Sequence, residues 1–238
     1  MTALSRVAVC FFTLSATVAS AQYQPFPQAP PPPPAPTAAA ANTAVAITQA
    51  RQRNAQLMQS YSWNERIDVQ QGGQQKDLRI EVCTFLGGMK QCTVQNDQHA
   101  PLPGGFFRHN AAENKIKDFE NYLKGLKAVL DQYTLPTAGA ILNFLTTAQT
   151  MGPGPEGYLT TAGSNVVQPN DSLTIWTNAT TRQPARMSIN TYYQGQAVQV
   201  TATFQTLPSG LNYMNYCTVE VPAQQLQLMI QNFNFVQN

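Results

Sequence analysis

"YSWNERIDVQQGGQQKDLRIEV", Tyr61 to Val82, alternates apolar and polar residues on both sides of a Gly-Gly pair. Alternation with a period of two marks strands that bury one face, and a glycine pair suits a two-residue turn needing positive φ. The stretch predicts a hairpin about Gly72-Gly73. Trp63 then faces Val82, Glu65 faces Ile80 and Ile67 faces Leu78. Arg66, Asp68, Asp77, Arg79 and Glu81 collect on the opposite face, where directly opposed like charges have diagonal neighbours of opposite sign. The expectation is an antiparallel sheet with one apolar face and one charged face.

The next segment, "EVCTFLGGMKQCTV" from Glu81 to Val94, sets two of the chain's four cysteines symmetrically about a second Gly-Gly pair. A two-residue turn at Gly87-Gly88 places Cys83 opposite Cys92. Counting outward from the turn, this is a non-hydrogen-bonded pair, whose Cα atoms approach to about 4.5 Å, within the span of a disulfide. Cys83 and Cys92 are expected to form a structural staple, since their spacing is not the C-x-x-C of redox enzymes. Cys217 lies in the alternating run Leu211, Tyr213, Cys217, Val219, Val221 and is expected as a buried free thiol.

Further along, the period changes. Val45, Ile47, Ala50, Leu57 and Met58 recur at helical spacing from Asn42 to Ser60, with Asn54 on the same side and Asn42 as N-cap. Ile116, Phe119, Leu123, Leu126, Val129, Leu130 and Tyr133 form a stripe predicting a helix over 112–133. Pro136 breaks it, and Ile141, Leu142, Leu145 and Ala148 continue as a shorter helix. Lys115, Lys117, Lys124 and Lys127 read as a solvated helix face. Strands are expected near 158–161, 172–177, 185–193, 196–206, 211–221 and 226–236. A turn at Gln194-Gly195 sets Met187 opposite Ala202, Ile189 opposite Val200 and Ala185 opposite Phe204. The fold class is α+β: a curved antiparallel half-barrel of about nine strands, covered by an N-terminal helix and an inserted helical hairpin.

The N-terminus reads as an export signal. Arg6 precedes an uncharged run from Val7 to Val18, and Ala19-Ser20-Ala21 is an A-x-A cleavage site. Residues 1–21 are therefore expected to be a signal peptide. The run is shorter than the roughly 20 apolar residues that span a bilayer, and no later segment qualifies as transmembrane. Residues 22–40, within "QYQPFPQAPPPPPAPTAAAA", predict a Pro/Ala-rich tether, with a polyproline ligand as the alternative. Residues 41–238 are expected to fold as one domain. The destination is periplasmic or secreted, where a disulfide persists.

Composition and motifs point away from several functions. The formal charge of +2 falls to +1 once Arg6 is removed, and charged residues make up 11% of the chain, so no basic stripe suggests nucleic acid. The two histidines, His99 and His109, flank a Pro/Gly-rich loop without a metal-ligand motif. Neither a G-x-S-x-G elbow nor a phosphate-cradling Gly-Lys-Ser/Thr loop is present. Glu65, on the apolar side of its strand, is the one carboxylate placed where burial could tune it for catalysis; lying at a rim or pairing with an arginine is the structural alternative. No catalytic residue, metal or cofactor is assigned.

The stretches "RNAQLMQSYSWNERIDVQQGGQQK", "ENKIKDFENYLKGLKAVLDQYTLP", "QPNDSLTIW" and "VTATFQTLPSGLNYMNYCTVEVPAQQLQLMIQNFNF" resemble a family of exported bacterial proteins of unassigned function, over about Arg51 to Phe235. "YSW" and "LPSGLNY" are the more specific parts. More distantly, the order helix, strands, helical insert, strands is similar to the LolA-like periplasmic lipoprotein carriers. That resemblance implies an open half-barrel whose apolar concave side, under helices, holds acyl chains. The expected function is a non-enzymatic periplasmic binding protein or chaperone for an apolar ligand, a lipid or a lipoprotein acyl chain. Trp63, Ile67, Met187, Ile189, Val200 and Phe204 are the candidate pocket residues. The alternative is an envelope structural or interaction module with a closed core, pairing with another envelope protein through an exposed sheet edge.

Overall fold

A computed structural model of the chain describes residues 37–99, 106–134 and 137–238, without the side chains at 39, 99 and 106–116. The signal peptide, the tether up to Pro36, Pro136, the Pro/Gly-rich loop and the side chains of His99, His109, Lys115 and Ile116 lie outside the described residues. Helix α1 (Ala38–Met58) leads into strands β1 (Tyr61–Gln71), β2 (Gln74–Leu86) and β3 (Met89–His99). Helices α2 (Phe106–Asp131) and α3 (Ala138–Thr147) follow, joined through a 3-10 turn at Gln132–Thr134. Seven strands complete the chain: β4 (Gln149–Met151), β5 (Tyr158–Ser164), β6 (Ser172–Asn178), β7 (Pro184–Tyr193), β8 (Gln196–Thr206), β9 (Asn212–Val221) and β10 (Leu226–Gln237).

All ten strands form one sheet in the order β3-β2-β1-β10-β9-β8-β7-β6-β5-β4. Every neighbouring pair is antiparallel, so this is the expected open curved α+β sheet with one strand more than the periodicity showed. The extra strand is β4, three residues too short to display alternation. The β7–β8 ladder has the expected register, with Met187 opposite Ala202 and Ile189 opposite Val200. It stops at Arg186–Thr203, so Ala185 and Phe204 do not pair; beyond a register shift Phe204 pairs with Met214 of β9.

The β1–β2 hairpin corrects the sequence reading. Near the turn, Gln71 pairs with Gln74 and Gln70 with Gln75 as expected, and Gly72 and Gly73 take φ of +60° and +72°. The next pair is Val69 with Asp77, so Lys76 is an extra residue and the register moves by one. Trp63 consequently faces Cys83, Glu65 faces Glu81 and Ile67 faces Arg79. Because side chains alternate, one extra residue turns every β2 side chain to the other face. Arg79 and Glu81 share the face of Ile67, and Leu78, Ile80 and Val82 stand beside Asp68, Arg66 and Asn64. The two faces are mixed, not segregated into apolar and charged.

Helix α1 begins at Ala38, with Thr37 and not Asn42 as its N-cap: Thr37 Oγ1 accepts from the Ala40 N–H at 3.2 Å. Its inward residue is Ala44, 2% exposed, whereas Val45, Ile47 and Leu57 are largely exposed. A small inner face lets the backbone approach, and Asn54 then clasps β9: its Nδ2 donates to the Asn212 carbonyl at 2.7 Å and its Oδ1 accepts from the Asn212 N–H at 2.8 Å. Helix α3 starts at Thr137, whose hydroxyl accepts from the Ala140 N–H at 3.1 Å.

Two glycines set the helix–sheet distance. A Cβ on Gly163 of β5 would meet the Phe144 ring at 2.8 Å, and one on Gly125 of α2 would overlap the Tyr193 side chain. The far end of the helical pair is held by a buried polar group. Tyr133 Oη donates to Asp171 Oδ2 at 2.6 Å and contacts Thr191 Oγ1 at 2.6 Å. Asp171 also accepts from the backbone N–H groups of Val166, Val167 and Gln168 at 2.6–2.8 Å. Burial raises the Tyr133 phenol to about 12, reinforced by its hydrogen bond to Asp171. Burial alone would raise Asp171, but the bonds from Tyr133 and three backbone N–H groups outweigh it and hold the carboxyl below its usual value.

Gly163→Val should overpack the α3 interface and destabilise the protein by about 1–3 kcal/mol, read as a lower denaturant midpoint. A carboxyl whose folded pKa is depressed contributes stability above its unfolded pKa of about 3.9, lost as pH falls through the lower folded value. Asp171→Asn should therefore lower stability at neutral pH and flatten its decline below pH of about 4, measured by urea unfolding across the acid range.

Candidate functional site

The apolar face under the helices is the first place to look. Leu173, Ile189, Val198, Val200, Ala202, Val219, Val221 and Leu226 form its floor, roofed by Leu126, Tyr133, Ile141 and Phe144. Five of the six expected pocket residues lie in this cluster: Ile189 and Val200 are buried, while Ile67, Met187 and Phe204 pack against it half-buried. Trp63 lies apart from them. Its ring stacks on Phe235 at 5.8 Å with planes 8° apart, Phe85 approaches to 5.8 Å, and Nε1 donates to the buried Asn232 at 3.1 Å.

Trp63 marks the polar end of the same face. Glu65, buried, accepts from Lys90 Nζ at 2.6 Å, so it is ion-paired, though with a lysine two strands away and not with the expected arginine. Lys90 Nζ also lies 5.7 Å from the Trp63 ring. Arg79 bridges Asp77 at 3.2 Å and Glu81 at 3.6 Å. Cys83 and Cys92 are joined as expected. Ligand atoms of Glu65, Glu81, Cys83 and Cys92 lie within 4.8 Å of one another. Disulfide sulfurs are not thiolate ligands, and Lys90 already neutralises Glu65, so the donor set does not suit a metal.

A cleft of about 260 Å³ lies between α2 and the adjoining ends of β1 and β10. Gln71, Phe119, Tyr122, Gln224 and Leu226 line it. Phe119, Tyr122 and Leu226 are also members of the core cluster, so the cleft gives access to the covered face. Tyr122 is positioned by an edge-on contact with Tyr193 at 5.1 Å and by donation to Gln196 Oε1 at 3.3 Å. Of these residues, the helical stripe named Phe119 alone, as core. Gln71 and Gln224 come together through the β9–β10 turn, a juxtaposition no periodicity reports. On the opposite face a cleft of about 230 Å³ is lined by Arg66, Asp68, Tyr216, Met229 and Gln231.

Cys217 is buried and reduced, and burial raises its thiol to about 11. No described helix is long and apolar enough to cross a membrane.

No family model and no curated protein matches the chain. Solved structures distantly similar to it include the following two. One is a DUF1329 family protein from Desulfovibrio piger, at 11% identity and a TM-score of 0.40 over 85% of this chain and 93% of that one. The other is a LolA superfamily protein from Nitrosomonas europaea, at 11% identity and a TM-score of 0.30 over 80% of this chain and 92% of that one.

Peptide mapping without reduction should recover the Cys83–Cys92 link, and Cys217 should react with a thiol reagent only after unfolding. Reducing the hairpin, whose loop is about ten residues, should lower stability by at most about 3 kcal/mol.

Proposed function

We propose that the protein is a non-enzymatic binding protein or chaperone for an apolar ligand, the acyl chain of a lipid or lipoprotein, acting in the periplasm or outside the cell after signal-peptide cleavage. The observation that carries this reading is the cleft at Phe119, Tyr122 and Leu226, which opens onto the apolar face. Its volume of about 260 Å³ is near the low end of ligand pockets, about 300–1,000 Å³, so a long chain would enter by lifting α2 further from the sheet. Gln71 and Gln224 at the rim supply amide groups for a polar head. The hairpin disulfide fits an oxidising compartment. The Pro/Ala-rich segment would hold the domain clear of its neighbours.

A closed core without ligand is the second reading, favoured by the near-complete burial of Ile189 and Val200 at 2% and 5% exposure. The two readings separate in one experiment. Protein purified from its native envelope should carry extractable lipid, and delipidated protein should bind a fluorescent fatty acid saturably at one site. Phe119→Glu should weaken that binding at least about tenfold, or about 1.4 kcal/mol, with unchanged circular dichroism. An absence of both co-purified lipid and saturable binding supports the closed core.

A further inference from the structure

The sheet face turned away from the helices holds a carboxylate that its surroundings do not satisfy. Asp68 of β1 is 5% exposed, and its cross-strand neighbours, Leu78 of β2 and Met229 of β10, carry no side-chain donor. Arg66, two positions back on the same face of β1, reaches Oδ2 at 3.3 Å. Oδ1 is shut off from water and, among the described residues, accepts no hydrogen bond. A buried acceptor left unpaired destabilises a fold, a charged one most of all, so it is a place to look for an absent partner. Asp68 lines the cleft of about 230 Å³ on this face, together with Arg66, Tyr216, Met229 and Gln231. We propose that the cleft binds a free α-amino acid with an aliphatic side chain.

The chemistry of the lining selects that class. Arg66 keeps 46% of its side chain in solvent, and its bond to Asp68 uses one branch of the guanidinium, so its other N–H groups are free to receive an anion. Asp68 Oδ1 requires a donor. An anion receptor and a cation receptor thus stand side by side, 3.3 Å apart. Ligand charges must then be equally close, and an α-amino acid carries its ammonium and carboxylate on one carbon. An amine alone would meet repulsion from Arg66, and a carboxylate alone would leave Oδ1 unpaired. The apolar part of the ligand has its own surface. Met229 lies opposite Asp68, Gln231 opposite Arg66, and Tyr216 opposite Gln231, so a thioether and a ring flank the charged pair on the β10 side. The ammonium donates to Asp68 Oδ1, the carboxylate accepts from Arg66 and from the Gln231 amide, and the side chain rests on Met229 and Tyr216. Entry requires one side chain to move. Arg66, exposed and tied by a single long hydrogen bond, can turn aside without disturbing the strands. The cleft is smaller than the roughly 300–1,000 Å³ of pockets for drug-sized ligands, which suits one small molecule.

The site lies across the sheet from the Phe119 cleft, so it stands or falls independently of lipid binding. Isothermal titration of the mature chain with L-leucine should show saturable binding at one site, with NMR shifts at Arg66, Asp68, Tyr216 and Met229 and none at Phe119. Isopentylamine and isocaproate, each keeping one of leucine's two charges, should bind at least about tenfold more weakly. A zwitterion meeting an ion pair should also bind with little dependence on salt. Asp68→Asn keeps the side-chain shape, and should abolish leucine binding while circular dichroism is unchanged. Arg66→Gln, at an exposed position, should remove leucine's advantage and leave isopentylamine the tighter ligand. No saturable leucine binding at millimolar concentration overturns the proposal, as does binding that both variants leave unchanged or that isopentylamine and isocaproate match. Phosphatidylethanolamine vesicles should leave the same resonances unshifted. A shift by vesicles in place of leucine assigns the ammonium and anion to a lipid head group and overturns the amino acid.

Discussion

The ladder between β1 and β10 holds the molecule in one sheet. Tyr61 lies opposite Gln237 and Gln71 opposite Leu226, so the first strand of the chain is paired along its length with the last. One side of that seam is the three-strand meander β1–β3, and the other is the seven-strand meander β4–β10. Among the described residues, the strand order joins the two meanders only through it. Bringing residues so far apart in sequence together costs loop-closure entropy before the contacts form, which makes this a slow, non-local step of folding. The seam is correspondingly rich in polar locking. Trp63 Nε1 is held by Asn232, whose amide in turn donates to the Met214 carbonyl at 2.8 Å, tying β1 to β10 and β10 to β9.

The two meanders present different chemistry to the helix side. From β5 to β10 the face is apolar and filled by side chains of α2 and α3. From β1 to β3 it carries Glu65, Arg79, Glu81 and Lys90 around the disulfide. Lys76 is the cause of the second condition. Had the β1–β2 register run straight from the turn, Leu78, Ile80 and Val82 would join Ile67 on the helix side, with Glu65 the one charge of β1 among them. The extra residue reverses them, and the charges are accommodated by pairing within the hairpin: Lys90 with Glu65, and Arg79 between Asp77 and Glu81.

This is also where the sequence stopped being legible. Alternation and paired glycines located nine of the strands, and the symmetric cysteines located their partners, because each of those signals is local. A bulge is decided by which face the rest of the protein buries, and nothing in "QQKDLRI" marks Lys76 as the unpaired residue. The same limit explains α1. Hydropathy put Val45, Ile47 and Leu57 inward, but the helix approaches closely enough to bond Asn54 to the Asn212 backbone, and that distance admits Ala44 in preference to a larger side chain. The expected pocket residues came from the face that alternation defined, so five of six fell together. Trp63 is itself the residue at the register shift between Ser62 and Asn64 in the β1–β10 ladder, and joins the aromatic group instead. The cleft residues Gln71 and Gln224 were out of reach, since they belong to different turns that meet only through the β1–β10 seam.

How α2 is fastened bears directly on what the covered face can do. Its C-terminal end continues into Tyr133, fixed by Asp171 and Thr191 in a buried group whose acceptor is fully satisfied. Phe119 precedes Tyr133 by fourteen positions, about 20 Å along a helix, and lines the cleft from the middle of α2. Between them Gly125 packs against Tyr193 with no room for a side chain. From Tyr133 back to Phe119 the helix is thus pinned at its C-terminal end, close-fitted at Gly125 and bordered by the cleft at Phe119. A rigid plug would be fastened along its whole length. A face meant to admit a chain needs its freedom at one end and its anchor at the other, because displacement then grows with distance from the pin while the buried carboxylate stays satisfied. Between Phe119 and Tyr133, α2 therefore combines a fixed C-terminal anchor with a cleft farther along, a combination that the proposed binding reading uses and a closed core does not require.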